Sequence, residues 1–274
     1  MRILAVIGSP HKGDCYSAIQ KIEKELLAMG DVDFKYLFLK DVLLNQCLGC
    51  RTCVMGKGED YCPLKDDRKQ LEVEMLSTDG IILASPVYAG NITGLMKVFF
   101  DRFAYTAHRP RFFKQKVLAV ANIGSTNPAL KRTLQALSFF ESSGMQYISK
   151  VGIWTPPTKM PDIITNWYDK KLYKGARKLY RAVTLNKPQS PGLSQILGFR
   201  FVKVLFFLNK DKIGESDYNY WISQGWFNKN CKYFCNIKVN IIKQMLANTF
   251  EIVLRAVFSL VFRNSSSNVE NSTP

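Results

Sequence analysis

Histidine and acidic side chains are scarce in this chain. Only His11 and His108 occur among 274 residues, and neither lies in a Ser-His-Asp or Cys-His arrangement that the sequence supports. Asp and Glu number 22 against 38 Lys and Arg, which gives a formal net charge of +16. The sequence therefore offers no hydrolytic triad, and chemistry that needs no acid–base pair, such as that of a bound cofactor, is favoured.

Nucleic-acid-binding motifs and membrane-spanning segments are also missing. No helix-turn-helix, zinc-finger or RNA-binding signature accompanies the positive charge, so nucleic acid is not an expected partner. The apolar stretches 193–208 and 252–262 are interrupted by Arg or Lys before they reach the ~20 residues that span a bilayer. A basic amphipathic pattern over 164–183 fits either a solvated helix face or peripheral contact with an anionic membrane surface.

Cysteine usage indicates a reducing compartment. The chain has seven cysteines, an odd number, and it opens on a strand pattern with no recognisable export signal. We therefore expect a cytoplasmic protein whose thiols are ligands or reduced side chains.

Short apolar runs alternate with helical periods through the first half of the chain. Strands are predicted at 3–7, 34–39, 81–84, 117–121 and 147–153. The most apolar runs are typical of strands covered on both faces, so the alternation predicts a doubly wound α/β fold with a five-stranded parallel sheet. The predicted organisation is a domain over 1–155, a basic, aromatic-rich helical extension over 156–263 and a disordered tail over 264–274.

Two turns at predicted strand ends fit a nucleotide site, and each also fits a plain connecting turn with a helix cap. The first turn leads into a predicted helix and has the sequence Gly8-Ser9-Pro10-His11-Lys12-Gly13. The N–H groups at the N-terminus of such a helix favour a phosphate. Because the turn lacks the Gly-x-Gly-x-x-Gly fingerprint of dinucleotide binding, a mononucleotide is the expected ligand. The turn Ser85 to Gly94 is rich in small residues that let a flat ring approach the main chain, and Tyr88 supplies an aromatic wall.

Four cysteines fall within sixteen residues. Cys47, Cys50 and Cys53 are spaced by three, and Cys62 precedes a proline. This set resembles a ferredoxin-type run that ligates a 4Fe-4S cluster, although the gap before Cys62 is long. A structural loop without metal and a zinc site stay open as alternatives.

The motifs together resemble a known family. GSPHKGDCYS followed by ASPVYAGNITGLMKVFFDRF is similar to the NADPH-dependent FMN reductases of flavodoxin-like fold, and the cysteine segment is similar to their iron-sulfur flavoprotein branch. The resemblance covers residues 1 to about 155. It implies an FMN phosphate held by Ser9, His11, Cys15, Tyr16 and Ser17, and a flavin ring lined by Pro86, Val87, Tyr88, Ala89, Gly90, Asn91 and Ile92, with Gly124 and Ser125 beside it.

The expected function is an FMN-dependent NAD(P)H oxidoreductase that passes hydride or electrons to an unidentified acceptor. Tyr88 and the nearby backbone would orient the reacting rings. By the resemblance, homo-oligomers are expected. The alternatives are a 4Fe-4S iron-sulfur flavoprotein acting in electron transfer, or a non-catalytic metal-binding or membrane-surface protein on the same fold.

Overall fold

The structure is a computed structural model that describes residues 1–125, 128–209 and 214–270, with side chains described as far as Ser259. The strands are β1 (Arg2–Ile7), β2 (Asp33–Phe38), β3 (Gly80–Pro86), β4 (Lys116–Ile123) and β5 (Gln146–Trp154). The helices are α1 (Asp14–Leu27), α2 (Thr52–Met55), α3 (Arg68–Leu76), α4 (Gly94–Arg102), α5 (Ala129–Ala136), α6 (Asp162–Leu185), α7 (Leu193–Leu208), α8 (Glu215–Ser223) and α9 (Ile241–Glu270).

The five strands form one parallel sheet in the order β2-β1-β3-β4-β5. Every residue of β3 and of β4 is buried, which explains the unbroken apolar runs 81–84 and 117–121 within them. The flavodoxin-like sheet and the helices after it confirm the predicted fold class. In this strand order the connection reverses direction between β1 and β3, so their carboxyl ends border the crevice where ligands bind.

The chain divides into two compact units. One contains residues 1–50 and 64–188, and the other contains 51–63 and 189–274. The first unit holds the whole sheet, and α6 packs there through Leu172, Ala176 and Leu179. The domain limits drawn from the sequence remain predictions, and residues 271–274 of the predicted tail lie outside the described residues.

The second unit is built on α7, α8 and α9 around an aromatic cluster. Trp221 is fully buried, and its ring lies 5.7 Å from that of Phe199 and 5.1 Å from that of Trp226. The helix α8 that carries Trp221 was not predicted from the sequence, which indicated only an aromatic stretch between two helices. Within the described part of the chain, no helix has both the length and the apolar content required to cross a bilayer.

Candidate flavin site

The first turn joins β1 to α1 and leaves a helix N-terminus open. The Gly8 N–H donates to the Ala84 carbonyl at 2.8 Å, and the buried Ser9 hydroxyl donates to the His11 carbonyl at 2.7 Å. Among the described residues no side chain caps α1, which begins at Asp14 after the N-cap residue Gly13. The N–H groups of its first turn lack helical acceptors, so this end can bind an anion.

Two basic side chains lie in the same turn. A Cβ on Gly13 would come within 2.8 Å of His11 Nε2, so the glycine allows the imidazole to lie against the main chain at the helix start. Lys12 Nζ lies 5.6 Å from the ring centre of Tyr16 and 5.7 Å from that of Phe38. Lys12 was missed as a site residue; its only signal in the sequence was a positive charge inside the turn.

Cys15 and Ser17 point in different directions from the first turn of α1. Burial, with a smaller contribution from Asp14, raises the pKa of the Cys15 thiol to about 12, so this thiol is neutral and belongs to the core. Its N–H is therefore the group available to a ligand. Ser17 is exposed and lines a cavity of about 120 Å³ with Trp154 and Thr155.

The second turn follows β3 and is tightly closed. Tyr88 N donates to Asn91 O at 2.9 Å and Asn91 N to Tyr88 O at 3.0 Å. Between them Ala89 has φ 49° and Gly90 has φ 79°, and a positive φ strains a residue that carries a Cβ by about 1 kcal/mol. Within the described residues, the N–H groups of Ala89 and Gly90 have no acceptor, so this turn offers two donors beside the half-exposed Tyr88 ring.

Hydrogen bonds join the three turns. Thr93 caps α4 by accepting from Met96 N at 3.2 Å, and its hydroxyl donates to Gly8 O at 2.7 Å, which links the second turn to the first. Val87 N donates to Asn122 O at 2.8 Å and links the second turn to the third. The predicted flavin residues at the ends of β1, β3 and β4 are thus held in one continuous network.

The third turn combines exposed residues with a buried polar group. Gly124 and Ser125 are exposed, whereas Asn122 is buried. Asn122 Nδ2 donates to Thr155 Oγ1 at 3.1 Å, and within the described chain its Oδ1 has no hydrogen-bond partner. A buried polar atom without a partner calls for a ligand or water, so the residues present fit a polar cofactor at this edge of the sheet.

A further cation adjoins the second turn. Arg132 Nη2 of α5 lies 3.6 Å from the position that a Cβ on Gly90 would take. Arg132 was not predicted as a site residue, because only the folded sheet brings α5 beside the 88–91 turn. Arg132 therefore adds positive charge beside the second turn.

The cysteine segment is held at both of its ends. Leu43 N donates to Asp67 Oδ2 at 2.9 Å and Asn45 N to Asp66 Oδ2 at 3.0 Å, so the chain before Cys47 is fixed to the chain after Cys62. Cys47 and Cys50 are exposed, and Cys53 and Cys62 are partly buried.

The compact units divide these cysteines. Cys47 and Cys50 belong to the first unit, and Cys53 and Cys62 to the second. In the second unit α2, which carries Cys53, lies against α8: Ser216 Oγ donates to Gly56 O at 3.2 Å, and a Cβ on Gly214 would overlap Val54 O. Among the described residues, no group of three or more His, Cys, Asp or Glu side chains is placed to hold a metal ion. The predicted metal ligands therefore stay a prediction.

Comparisons with known proteins agree with this geometry. The sequence profile of the family described as NADPH-dependent FMN reductase matches residues 1–156. An iron-sulfur flavoprotein of Methanosarcina thermophila is 30% identical over 138 residues, which are 50% of this chain and 71% of the relative. An iron-sulfur flavoprotein of Clostridioides difficile is 30% identical over 73% of this chain and 86% of its own length.

Solved structures share the fold. An NAD(P)H:quinone oxidoreductase from Methanothermobacter marburgensis superimposes with a TM-score of 0.51 at 15% identity, over 65% of this chain and 96% of that protein. The predicted resemblance is confirmed, and with it an oxidoreductase that uses FMN as cofactor and NAD(P)H as co-substrate. The chain belongs to the NADPH-dependent FMN reductase family.

Proposed function

We propose that the three joined turns hold one FMN and that the chain oxidises NAD(P)H and reduces a small-molecule or protein acceptor through it. The observation that carries this proposal is the hydrogen-bond network of Thr93 and Val87, which fixes all three turns at neighbouring strand ends. Such an edge of a doubly wound sheet is where a mononucleotide binds.

The first turn would bind the phosphate. The open N-terminus of α1 supplies N–H donors and the positive end of the helix dipole, and Lys12 supplies a full charge nearby. Tyr16 and Ser17 follow in the first turn of the helix. Ser9 would act by shaping the turn, because its hydroxyl is already engaged with the His11 carbonyl.

The second and third turns would bind the ring. The N–H groups of Ala89 and Gly90 can donate to its polar edge, and Asn122 Oδ1 can accept from a donor at the third turn. When bound, FMN supplies the capacity to accept a hydride and to return electrons singly or in pairs. Tyr88 would position the reacting partners and exclude water from one side.

A redox assay tests this function. The purified chain, supplied with FMN, is mixed anaerobically with NADPH or NADH and the flavin absorbance is followed. We expect bleaching with at least one nicotinamide at a rate well above that of free FMN, and recovery when a quinone or oxygen is added. A rate equal to that of free FMN would refute the proposal.

A second electron carrier is proposed at the cysteine segment. The thiols of Cys47, Cys50, Cys53 and Cys62 form a donor set suited to iron-sulfur chemistry, and the two relatives above are named iron-sulfur flavoproteins. Anaerobic preparations should contain iron and sulfide, and Cys47→Ser and Cys62→Ser should each lose them while keeping FMN. An iron-free preparation of the unaltered chain would leave the segment with a structural role only.

The remaining expectations concern setting and assembly. We propose a cytoplasmic location, which the odd number of cysteines supports, and a homo-oligomer with NAD(P)H as its small-molecule partner.

A further inference from the structure

Helix α9 carries a large exposed apolar face that the flavin site does not use. Its members, 47% to 72% exposed, are Ile241, Ile242, Met245, Leu246, Ile252, Val253 and Val257, and we call them the α9 face. Single exposed apolar residues are common on soluble proteins, but a continuous apolar patch marks an interaction surface.

The opposite side of α9 is already occupied within its own unit. Ala247 is fully buried, and Glu251 accepts hydrogen bonds from Arg200 at 2.6 Å and from Arg255 at 2.8 Å. The ring of Phe258 lies 5.8 Å from that of Phe201 on α7. Because these contacts hold α9 against α7, the packing within the second unit does not use the α9 face.

The spacing of residues along the α9 face is typical of a helix that packs against a second helix. Ile242, Met245, Thr249, Ile252 and Ala256 follow one another at alternating intervals of three and four residues. These are the first and fourth positions of a heptad, the pattern by which two helices interlock side chains. Thr249 and Ala256 are small, so a second helix could approach closely there.

The α9 face carries no charged side chain from Ile241 to Ser259, and this favours a protein partner over a lipid surface. Each residue from Ile241 to Ser259 that is exposed on this side is apolar or neutral. Between Ile241 and Ser259 the basic residues of α9 lie on the other side, where Lys243 donates to the Pro191 carbonyl at 3.0 Å and Arg255 pairs with Glu251. A helix that lies on anionic lipid carries Lys and Arg along its polar face, free to reach the surface, so the α9 face is better suited to protein.

The size of the face matches what a dimer needs. Its seven large side chains present on the order of 700 Å² of apolar surface, close to the ~800 Å² that each partner contributes to a stable interface. We propose that the α9 face packs against the same face of a second copy of this chain across a two-fold axis, forming an isologous helix pair. This pairing goes beyond the flavin chemistry and does not depend on it.

Charge substitution and sedimentation velocity test the pairing. The double variant Met245→Glu/Ile252→Glu places four like charges in the paired faces, and we expect it to have half the assembly mass of the unaltered chain at about 20 µM. The matched control is Ile222→Glu, which replaces a 53% exposed isoleucine of α8 outside the α9 face, and it should keep the mass unchanged.

A complementation experiment separates lost pairing from lost folding. Mixing the Glu double variant with Met245→Lys/Ile252→Lys should restore the full mass, because opposite charges then meet in either orientation of the helices. An unchanged mass for the Glu variant, or an unaltered chain that is monomeric, would overturn the proposal. So would monomers that sediment with phosphatidylserine vesicles and lose this binding in the Glu variant, since the occupant would then be lipid.

Discussion

Single residues would decide how the proposed site binds a phosphate. His11 brings an imidazole to the main chain at the start of α1. Lys12 lies one residue later, with its ammonium held over the Tyr16 and Phe38 rings. Lys12 therefore supplies a positive charge to the turn.

We predict that Lys12→Met weakens FMN binding about fivefold to tenfold, on the order of 1 kcal/mol, and leaves riboflavin binding unchanged, because only FMN carries the phosphate. Fluorescence titration with both flavins measures this difference. Lys24→Met, in the last turn of α1, is the control and should alter neither affinity. Equal losses for FMN and riboflavin would show that Lys12 acts by shaping the turn.

The buried thiol of Cys15 should make the stability of the folded chain depend on pH. Its pKa of about 12 in the folded chain lies above the value of ~8.5 for an exposed thiol. The unfolded chain therefore loses this proton first as pH rises, so the stability contributed by Cys15 is complete below about pH 8.5 and is lost towards pH 12.

Urea unfolding at pH 8 to 10.5 should show the free energy of unfolding of the unaltered chain falling faster than that of Cys15→Ala. The expected difference in slope is about 1.4 kcal/mol per pH unit above pH 9. Parallel curves for the two proteins would contradict the assignment of Cys15 to the core.

At the scale of elements, the carboxylate of Asp66 forms hydrogen bonds with three segments of the chain. Asp66 accepts hydrogen bonds from Arg102 Nη2 at 2.8 Å, from Asn45 N at 3.0 Å and from Arg68 N at 3.3 Å. It thus holds the end of α4, the start of α3 and the chain that enters the cysteine segment. Burial alone would raise its pKa, but the hydrogen bonds from Arg102 and from the two backbone N–H groups outweigh burial and lower the pKa.

Asp66→Asn should lower the free energy of unfolding at pH 7 by about 3–5 kcal/mol, because the buried Arg102 then loses the carboxylate that it contacts. Asp101→Asn, which removes the exposed pair with Lys97, should cost less than about 0.5 kcal/mol. Urea unfolding of both variants measures the contrast.

The effect of Asp66→Asn depends on pH. Since the folded pKa of Asp66 is lowered, its contribution is present above the unfolded value of about 4 and is lost as pH falls. The two unfolding curves should therefore converge in acid, and a gap that stays constant down to pH 2 would contradict this role.

The elements also show what the sequence could predict. Strands such as 81–84 and 117–121 were found because unbroken apolar runs follow from burial on both faces. Helix α8 was missed because its side chains face an aromatic cluster built from distant positions such as Phe199 and Phe234, and nine residues leave little periodicity to detect. Local patterns reveal burial, whereas contacts between distant segments have no local pattern.

For the whole molecule, turn sequences and family resemblance indicated which turns would hold the proposed flavin, but the sequence could not show how the turns are joined. Thr93 caps α4, and only the sheet order brings its hydroxyl to Gly8 O. Arg132 reaches the Gly90 turn for the same reason.

Titration of FMN into the full chain by calorimetry, compared between the unaltered protein and Thr93→Val, tests the central claim most directly. Valine keeps the shape of threonine but removes the hydrogen bond to Gly8 O and the cap of α4, which costs about 1–2 kcal/mol. The control is Thr78→Val, whose buried hydroxyl donates to the Met75 carbonyl at the other end of β3. We expect one FMN per chain, an affinity at least tenfold weaker in Thr93→Val and an unchanged affinity in Thr78→Val; no binding to the unaltered chain, or equal affinities in all three proteins, would contradict the account.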